Sequence, residues 1–164
     1  MKKYVITLML MLMSTMTMNA QNDLQDRLDL KKLVDTFSNL ADVKDVDAQV
    51  LLFTPDAIVR TKGSNNAYHG REEIGKAFSN FLALFNVVYH VNGQQTVEIN
   101  GDTAEGTAYC FVTLITAEGQ MQQSGVRYKD NYVKIDGKWY IKERESDFMF
   151  TDHRTLGQPQ MNRR

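Results

Sequence analysis

Val133-Lys134-Ile135-Asp136-Gly137-Lys138-Trp139-Tyr140-Ile141 decides the fold: two alternating β-rich runs flank Asp-Gly, a pair suited to a tight two-residue hairpin turn. Working back from this turn, Met121–Ile135 and Lys138–Glu145 are its arms. Thr103–Thr116 and Val87–Ile99 are two further long strands with the same alternation. Asn100-Gly101-Asp102 and Glu118-Gly119 supply the intervening turns, and Gly93 inside the first long strand predicts a bulge that bends it. The four strands therefore form an antiparallel meander.

Ahead of the meander the period is helical. Leu24, Leu28, Leu30, Leu33, Phe37 and Leu40 mark an amphipathic helix over residues 23–42, broken by Asp42-Val43-Lys44-Asp45. Val46 to Phe53 reads as a second short helix ending before Pro55, and Asp56 to Thr61 as a strand, with a loop at 63–66. Gly70-Arg71-Glu72-Glu73 opens a third helix, its acids placed to suit the helix dipole, with Ile74, Phe78, Phe81, Leu82 and Phe85 on its apolar face. The expectation is an α+β domain: a cone-shaped curved antiparallel sheet with three N-terminal helices on its concave face, enclosing a pocket.

The first residues carry a different message. Met1-Lys2-Lys3 precedes an apolar run from Tyr4 to Met13, then a more polar stretch ending at Asn19-Ala20. That is the order of a secretory signal, and its apolar core is short of the roughly 20 residues that span a bilayer. The expected organisation is a signal at 1–20, one domain at 21–152 and a flexible tail at 153–164. The destination is the periplasm or the exterior, with no stable membrane anchor once the signal is removed.

Nineteen cations, Lys2 and Lys3 among them, face twenty anions, so the mature chain is mildly acidic. Nothing basic enough remains to follow a phosphate backbone, which argues against nucleic acid as a partner. The single cysteine, Cys110, permits no internal disulfide. No CxxC, HExxH, GxGxxG or P-loop pattern occurs, so no metal site and no cofactor is expected.

Four stretches carry a resemblance: Asp42-Val43-Lys44-Asp45-Val46-Asp47, Leu52-Phe53-Thr54-Pro55-Asp56-Ala57, Gly70-Arg71-Glu72-Glu73-Ile74, and Tyr128 through Trp139. In their order and spacing the chain resembles the nuclear-transport-factor-2-like superfamily, in its SnoaL-like branch. That branch includes polyketide cyclases, scytalone dehydratase, ketosteroid isomerase relatives and a lindane dehydrochlorinase. The resemblance implies a catalytic pair at Asp42 and His90, in which the Asp orients or charges the His and the His moves a proton beside a leaving group. Two departures stand out. Cys110 occupies the position of the dehydratase's second His, and Ala41 that of the Tyr before its helix-terminal Asp. The dehydrochlorinase's cationic helper falls only loosely near Lys134.

The residues make a parallel case. A carboxylate beside a histidine fixes its tautomer and favours its charged form, which suits general acid/base work at neutral pH. Asp45 and Asp47 are as eligible as Asp42 to partner His90. His90 alternates with Val88 and Asn92, leaving Val87, Tyr89 and Val91 on the other face. Cys110, Tyr128 and Asp130 are candidate substrate-binding residues; Tyr132 shares the face of Tyr128 and Asp130, while Arg127, Lys129 and Asn131 take the opposite one. Cys110 also reads as a small buried hydrophobe, and His69 and His153 as surface residues. Thr107 to Ile115 is apolar on both faces, which calls for cover beyond the chain's own helices and suggests a homodimer through the sheet. Three functions remain open: a cofactor-free lyase or isomerase acting on a small, largely apolar molecule, a non-catalytic pocket for such a molecule, and a dimeric interaction module.

Overall fold

The computed structural model describes the backbone of residues 2–157 and the side chains of residues 22–157. In chain order the elements are α1 (Lys2–Asp42), α2 (Val46–Val50), β1 (Phe53–Thr61), β2 (Ala67–His69), α3 (Gly70–Leu82), β3 (Val87–Asn100), β4 (Thr103–Ile115), β5 (Gln120–Ile135) and β6 (Lys138–Thr155). They build one six-stranded sheet in the order β2-β1-β6-β5-β4-β3. Helix α1 lies along β3, α3 along β1, and α2 bridges the two helices. No helix among the described residues is long and apolar enough to cross a membrane.

The meander from β3 to β6 forms as its turns dictate. Asp136 and Gly137 take φ of 50° and 77°, two successive left-handed residues that match the twist of the flanking strands. Opposite β4, the register of β3 shifts between Asn92 and Gln95, the bulge that Gly93 announces. The sheet is not wholly antiparallel, however. β1 pairs with β6 in parallel, Val59 opposite Arg144 and Thr61 opposite Ser146, so the antiparallel expectation holds only for the meander and the β1–β2 pair.

Other boundaries also differ from expectation. The second helix stops at Val50, because Phe53 already pairs with Ile141 in the sheet. Pro55 is tolerated within β1 because it falls in the irregular stretch between Phe53 and Ile58. β6 continues past Glu145 to Thr155, which lies opposite Gln120; His153, Arg154 and Thr155 are therefore strand rather than tail. Residues 158–164 of the expected tail lie outside the described residues. Phe81, assigned above to the apolar face of α3, is 44% exposed.

The inner face can be followed strand to strand. His90, Val112, Ser124 and Thr151 form one row; Asn92, Cys110, Val126 and Phe148 the next; then Gln95, Ala108, Tyr128 and Ser146; then Val97, Gly106, Asp130 and Arg144. Against these rows pack Leu30, Leu33, Val34 and Phe37 of α1 and Ile74 and Leu82 of α3. The outer face carries Val91, Phe111, Gly125 and Phe150 in a single row.

Candidate active site

Helix α1 ends with a reversal that leaves Asp42 as its last helical residue. The amide of Asp45 bonds the carbonyl of Leu40 (2.9 Å) and that of Lys44 bonds Ala41 (3.0 Å), with Lys44 in the left-handed conformation at φ 59°. These paired bonds consume the last carbonyls and stop the helix. The Lys44 ammonium then reaches the carbonyl of Phe85, tying this corner to the start of β3. A carboxylate at a helix C-terminus faces the negative end of the dipole, a placement that costs about 0.3–1 kcal/mol at exposed sites. Asp42 therefore does not serve to end the helix.

Its side chain is used across the fold. Asp42 Oδ1 lies 2.6 Å from His90 Nδ1, and the carboxylate also accepts the backbone amide of His90 at 3.1 and 3.3 Å. The His90 side chain is 8% exposed and that of Asp42 24%, so the pair sits just under the surface. His90 Nε2 makes no hydrogen bond among the described residues. Asp45 is occupied otherwise, capping α2 through the amide of Ala48 at 3.0 Å, and Asp47 is exposed in the first turn of α2. Of the three acids eligible from sequence, Asp42 is the one that meets His90.

The other candidate residues take different places. Cys110 is buried in the row beside His90, and burial pushes its thiol up to about 11, so it is a neutral side chain. Tyr128 is buried, and loss of solvent together with Cys110 raises its phenol above the usual range. Asp130 is 2% exposed and fully engaged: Arg144 Nε and Nη2 grip its two oxygens at 2.8 and 2.6 Å, and the Tyr132 hydroxyl donates to it at 2.7 Å. Lys134 is engaged by other groups, bonding Asp26 (2.5 Å) beside Trp139. Arg127 pairs with Asp147 on the outer face, and His69 and His153 are exposed.

Arg144 is the residue that sequence reading missed. Its guanidinium is clasped between the rings of Phe37 (4.2 Å) and Tyr128 (4.4 Å), and Phe37 in turn packs edge-on against Phe53, Phe78 and Tyr128. Burial alone would weaken its hold on the proton, but Asp130 more than offsets that and holds it fully charged. One nitrogen, Nη1, is buried without a partner. The strand itself carried no signal: strict alternation from Trp139 and Ile141 turns Arg144 outward with Tyr140 and Lys142, and only the register shift opposite Asn131 and Tyr132 brings it inward, where a buried Arg demands an acid.

Side chains thus fill the cone at the level of Phe37 and Arg144, and the Asp42–His90 pair occupies the level beyond. Surface hollows lie elsewhere. One of about 390 Å³ is on the outer face between Arg60, Glu105, Lys129 and Glu145; one of about 490 Å³ is at the α1–β3 edge around Arg27, Lys31 and Gly93. Neither includes Asp42 or His90. No cluster of His, Cys, Asp and Glu suited to a metal ion occurs among the described residues.

Fold and pair together define a curved-sheet α+β domain of the cone type, with an Asp–His contact between its first helix and its edge strand. The model of the SnoaL-like domain matches residues 22–145, and the chain belongs to that family. An uncharacterised protein of Mycobacterium tuberculosis is 30% identical over 125 residues, covering 74% of this chain and 84% of its own length. Among solved structures, a protein of Novosphingobium aromaticivorans provisionally named a scytalone dehydratase is similar with a TM-score of 0.76 at 18% identity, over 88% of this chain and 99% of that one. A hexachlorocyclohexane dehydrochlorinase is similar with a TM-score of 0.77 at 17% identity, over 86% and 99%. Identities this low speak for a shared fold, not a shared substrate.

Proposed function

We propose that this is an exported lyase or isomerase that uses Asp42 and His90 to move a proton on a small, largely apolar substrate. The observation that carries the reading is the 2.6 Å contact between Asp42 and His90 Nδ1, with Nε2 left unbonded. A neutral imidazole whose Nδ1–H is given to a carboxylate presents a lone pair at Nε2. That lone pair takes the substrate proton; the freed electron pair forms a double bond and either expels a leaving group from the neighbouring carbon or is reprotonated at another position. Asp42 stabilises the imidazolium, which returns its proton to the product or to water. Electrons stay within the substrate, so the step needs no redox partner. The solved dehydratase-type and dehydrochlorinase structures make this reaction class a reasonable starting panel.

The test is turnover against dehydration, dehydrohalogenation and isomerisation substrates. His90→Ala should reduce turnover by about 10²–10⁴-fold while leaving the circular dichroism spectrum unchanged; undiminished turnover would refute the assignment. A second reading, a dimeric interaction module with a filled cone, is favoured by how completely Phe37, Phe53, Phe78 and Tyr128 fill the inner cone. It predicts that no small apolar molecule binds saturably and that His90→Ala leaves self-association intact.

Two further parts of the proposal concern context. The exposed outer row of Val91, Phe111 and Phe150, with Tyr89 in the row beside it, supports pairing with a second copy through the sheet. Light scattering at micromolar concentration should report a dimer that Phe111→Lys dissociates, and a monomeric wild type would end this idea. The order of charge, apolar run and small residue in residues 1–20 supports export and cleavage after Ala20. Intact mass of the protein recovered outside the cytoplasm should correspond to a chain beginning at Gln21.

A further inference from the structure

Helix α1 crosses the inner face of β3 in the opposite direction, and a ladder of side-chain bonds joins them. Starting from the Arg27 end, Arg27 Nη1 donates to the carbonyl of Val97 (2.9 Å) and Gln95 Nε2 to that of Leu30 (3.4 Å). Asn92 Nδ2 then donates to Asp35 Oδ1 (3.0 Å) and to the carbonyl of Val34 (3.3 Å), while Ser38 Oγ donates to Asn92 Oδ1 (2.9 Å). Asp42 on His90 is the last rung. From Arg27 to Asp42 the helix rises about 22 Å at its ordinary pitch, and from Val97 back to His90 the strand covers about 23 Å. The two lengths agree, so every rung can close at once.

Asp42 is held at His90 by the His90 amide and by the Lys44–Phe85 tie, but the angle at which it meets the imidazole is set by the helix behind it. Asp42 is the final helical residue, at the unfavourable end of the dipole, and its placement depends on how α1 is set along β3. Asn92 is the neighbour of His90 on the same inner face, and its amide is bonded at one end to Val34 and Asp35 and at the other to Ser38, one to two turns of α1 before Asp42. Asp35, Ser38 and Asp42 lie on one stripe of the helix, three and four residues apart. Ser38 is 3% exposed and contacts Asn92 inside the helix–strand seam.

We propose that Asn92, with Ser38 closing its acceptor side, is a positioning residue that sets the last turn of α1 over His90. In this way it holds the imidazole in the Nδ1–H tautomer. Asn92 acts through Asp42 and His90 rather than on any reacting atom. Its importance for chemistry rests on the function proposed above; its effect on the tautomer does not.

Long-range ¹H–¹⁵N spectra of the histidine side chains, recorded on the full chain at a pH where imidazole is neutral, read this directly. Wild type should show a protonated Nδ1 and a bare Nε2 at His90. Asn92→Leu should lower the Nδ1–H population at least twofold. Gln95→Leu, which removes the neighbouring rung, should leave it unchanged. Ser38→Ala should move it in the same direction as Asn92→Leu, and Ser38→Thr, which keeps the hydroxyl, should restore it. An unchanged tautomer in Asn92→Leu accompanied only by a lower melting temperature would overturn the proposal, as would an equal disturbance by Gln95→Leu. Should Asn92→Leu fail to fold, the Ser38 pair decides alone. A wild-type His90 carrying its proton on Nε2 would sink the reading of the pair itself. The expected tautomer pattern without turnover on any substrate would refute the enzymatic function and leave the positioning role standing.

Discussion

Replacing Asp130 by Asn keeps the shape of the side chain and removes its charge, leaving Arg144 as an uncompensated cation. Arg144 is 1% exposed and its Nη1 has no partner even in the wild type, so the orphaned charge has no protein group to turn to. Breaking a buried pair by removing one partner costs about 3–5 kcal/mol, against a total stability of about 5–15 kcal/mol for a domain. Removing both charges should be far milder. In Asp130→Leu/Arg144→Met the desolvation of both ions disappears, and Met can occupy the slot between Phe37 and Tyr128. What is lost is the stacking of the guanidinium on those two rings, about 0.5–2 kcal/mol each, and the acceptor of the Tyr132 hydroxyl, about 1–3 kcal/mol, against which the relief of desolvating two ions weighs. Urea unfolding should therefore place the double variant nearer the wild type than Asp130→Asn, with a coupling energy of at least about 2 kcal/mol between the sites. A cost below about 1 kcal/mol for Asp130→Asn, or a double variant less stable than Asp130→Asn, would show that the buried charge of Arg144 does not depend on Asp130.

Asp26 accepts from Trp139 Nε1 (3.0 Å) and Lys134 Nζ (2.5 Å); burial opposes its ionisation, but these bonds prevail and hold its carboxyl below the usual range. A depressed folded-state value means that the unfolded chain binds more protons, so this stability is present above the ordinary carboxylate range and is lost as pH falls through the folded value. Asp26→Asn should flatten the acid limb of a stability–pH curve, and an unaltered limb would contradict this. Gly106→Ala would set a methyl 2.8 Å from the Tyr132 ring and 3.2 Å from the Thr96 carbonyl, and overpacking of this kind costs about 1–3 kcal/mol by chemical denaturation. Gly137→Ala meets no neighbour but must hold φ near 77°, which should cost about 1 kcal/mol through backbone strain alone. A neutral result there would mean that the hairpin turn is free to relax.

Turn chemistry and side-chain period made the meander legible, because both act between near neighbours. Asp136-Gly137 and Gly93 favour their backbone conformations locally, and alternation groups His90 with Asn92 on one strand and Tyr128 with Asp130 on another without reference to the rest of the chain. The resemblance added Asp42 and His90 as a pair, but the residues themselves left Asp45 and Asp47 equally eligible. Only the folded chain separates them: Asp45 is consumed by the cap of α2, whereas the reversal at Lys44 turns Asp42 towards β3.

What the sequence determined by itself was the set of local conformations and, between bulges, which residues of one strand share a face. Tertiary structure decided everything that depends on pairing distant segments: the parallel alignment of β1 with β6, the extension of β6 to Thr155 against Gln120, and the burial of Arg144 against Asp130. It also decided that the α1–β3 ladder closes on His90, through contacts between residues 48 to 70 positions apart. Such contacts have no local signature, because the energy that selects them is the desolvation and bonding of groups that meet only once the chain is folded.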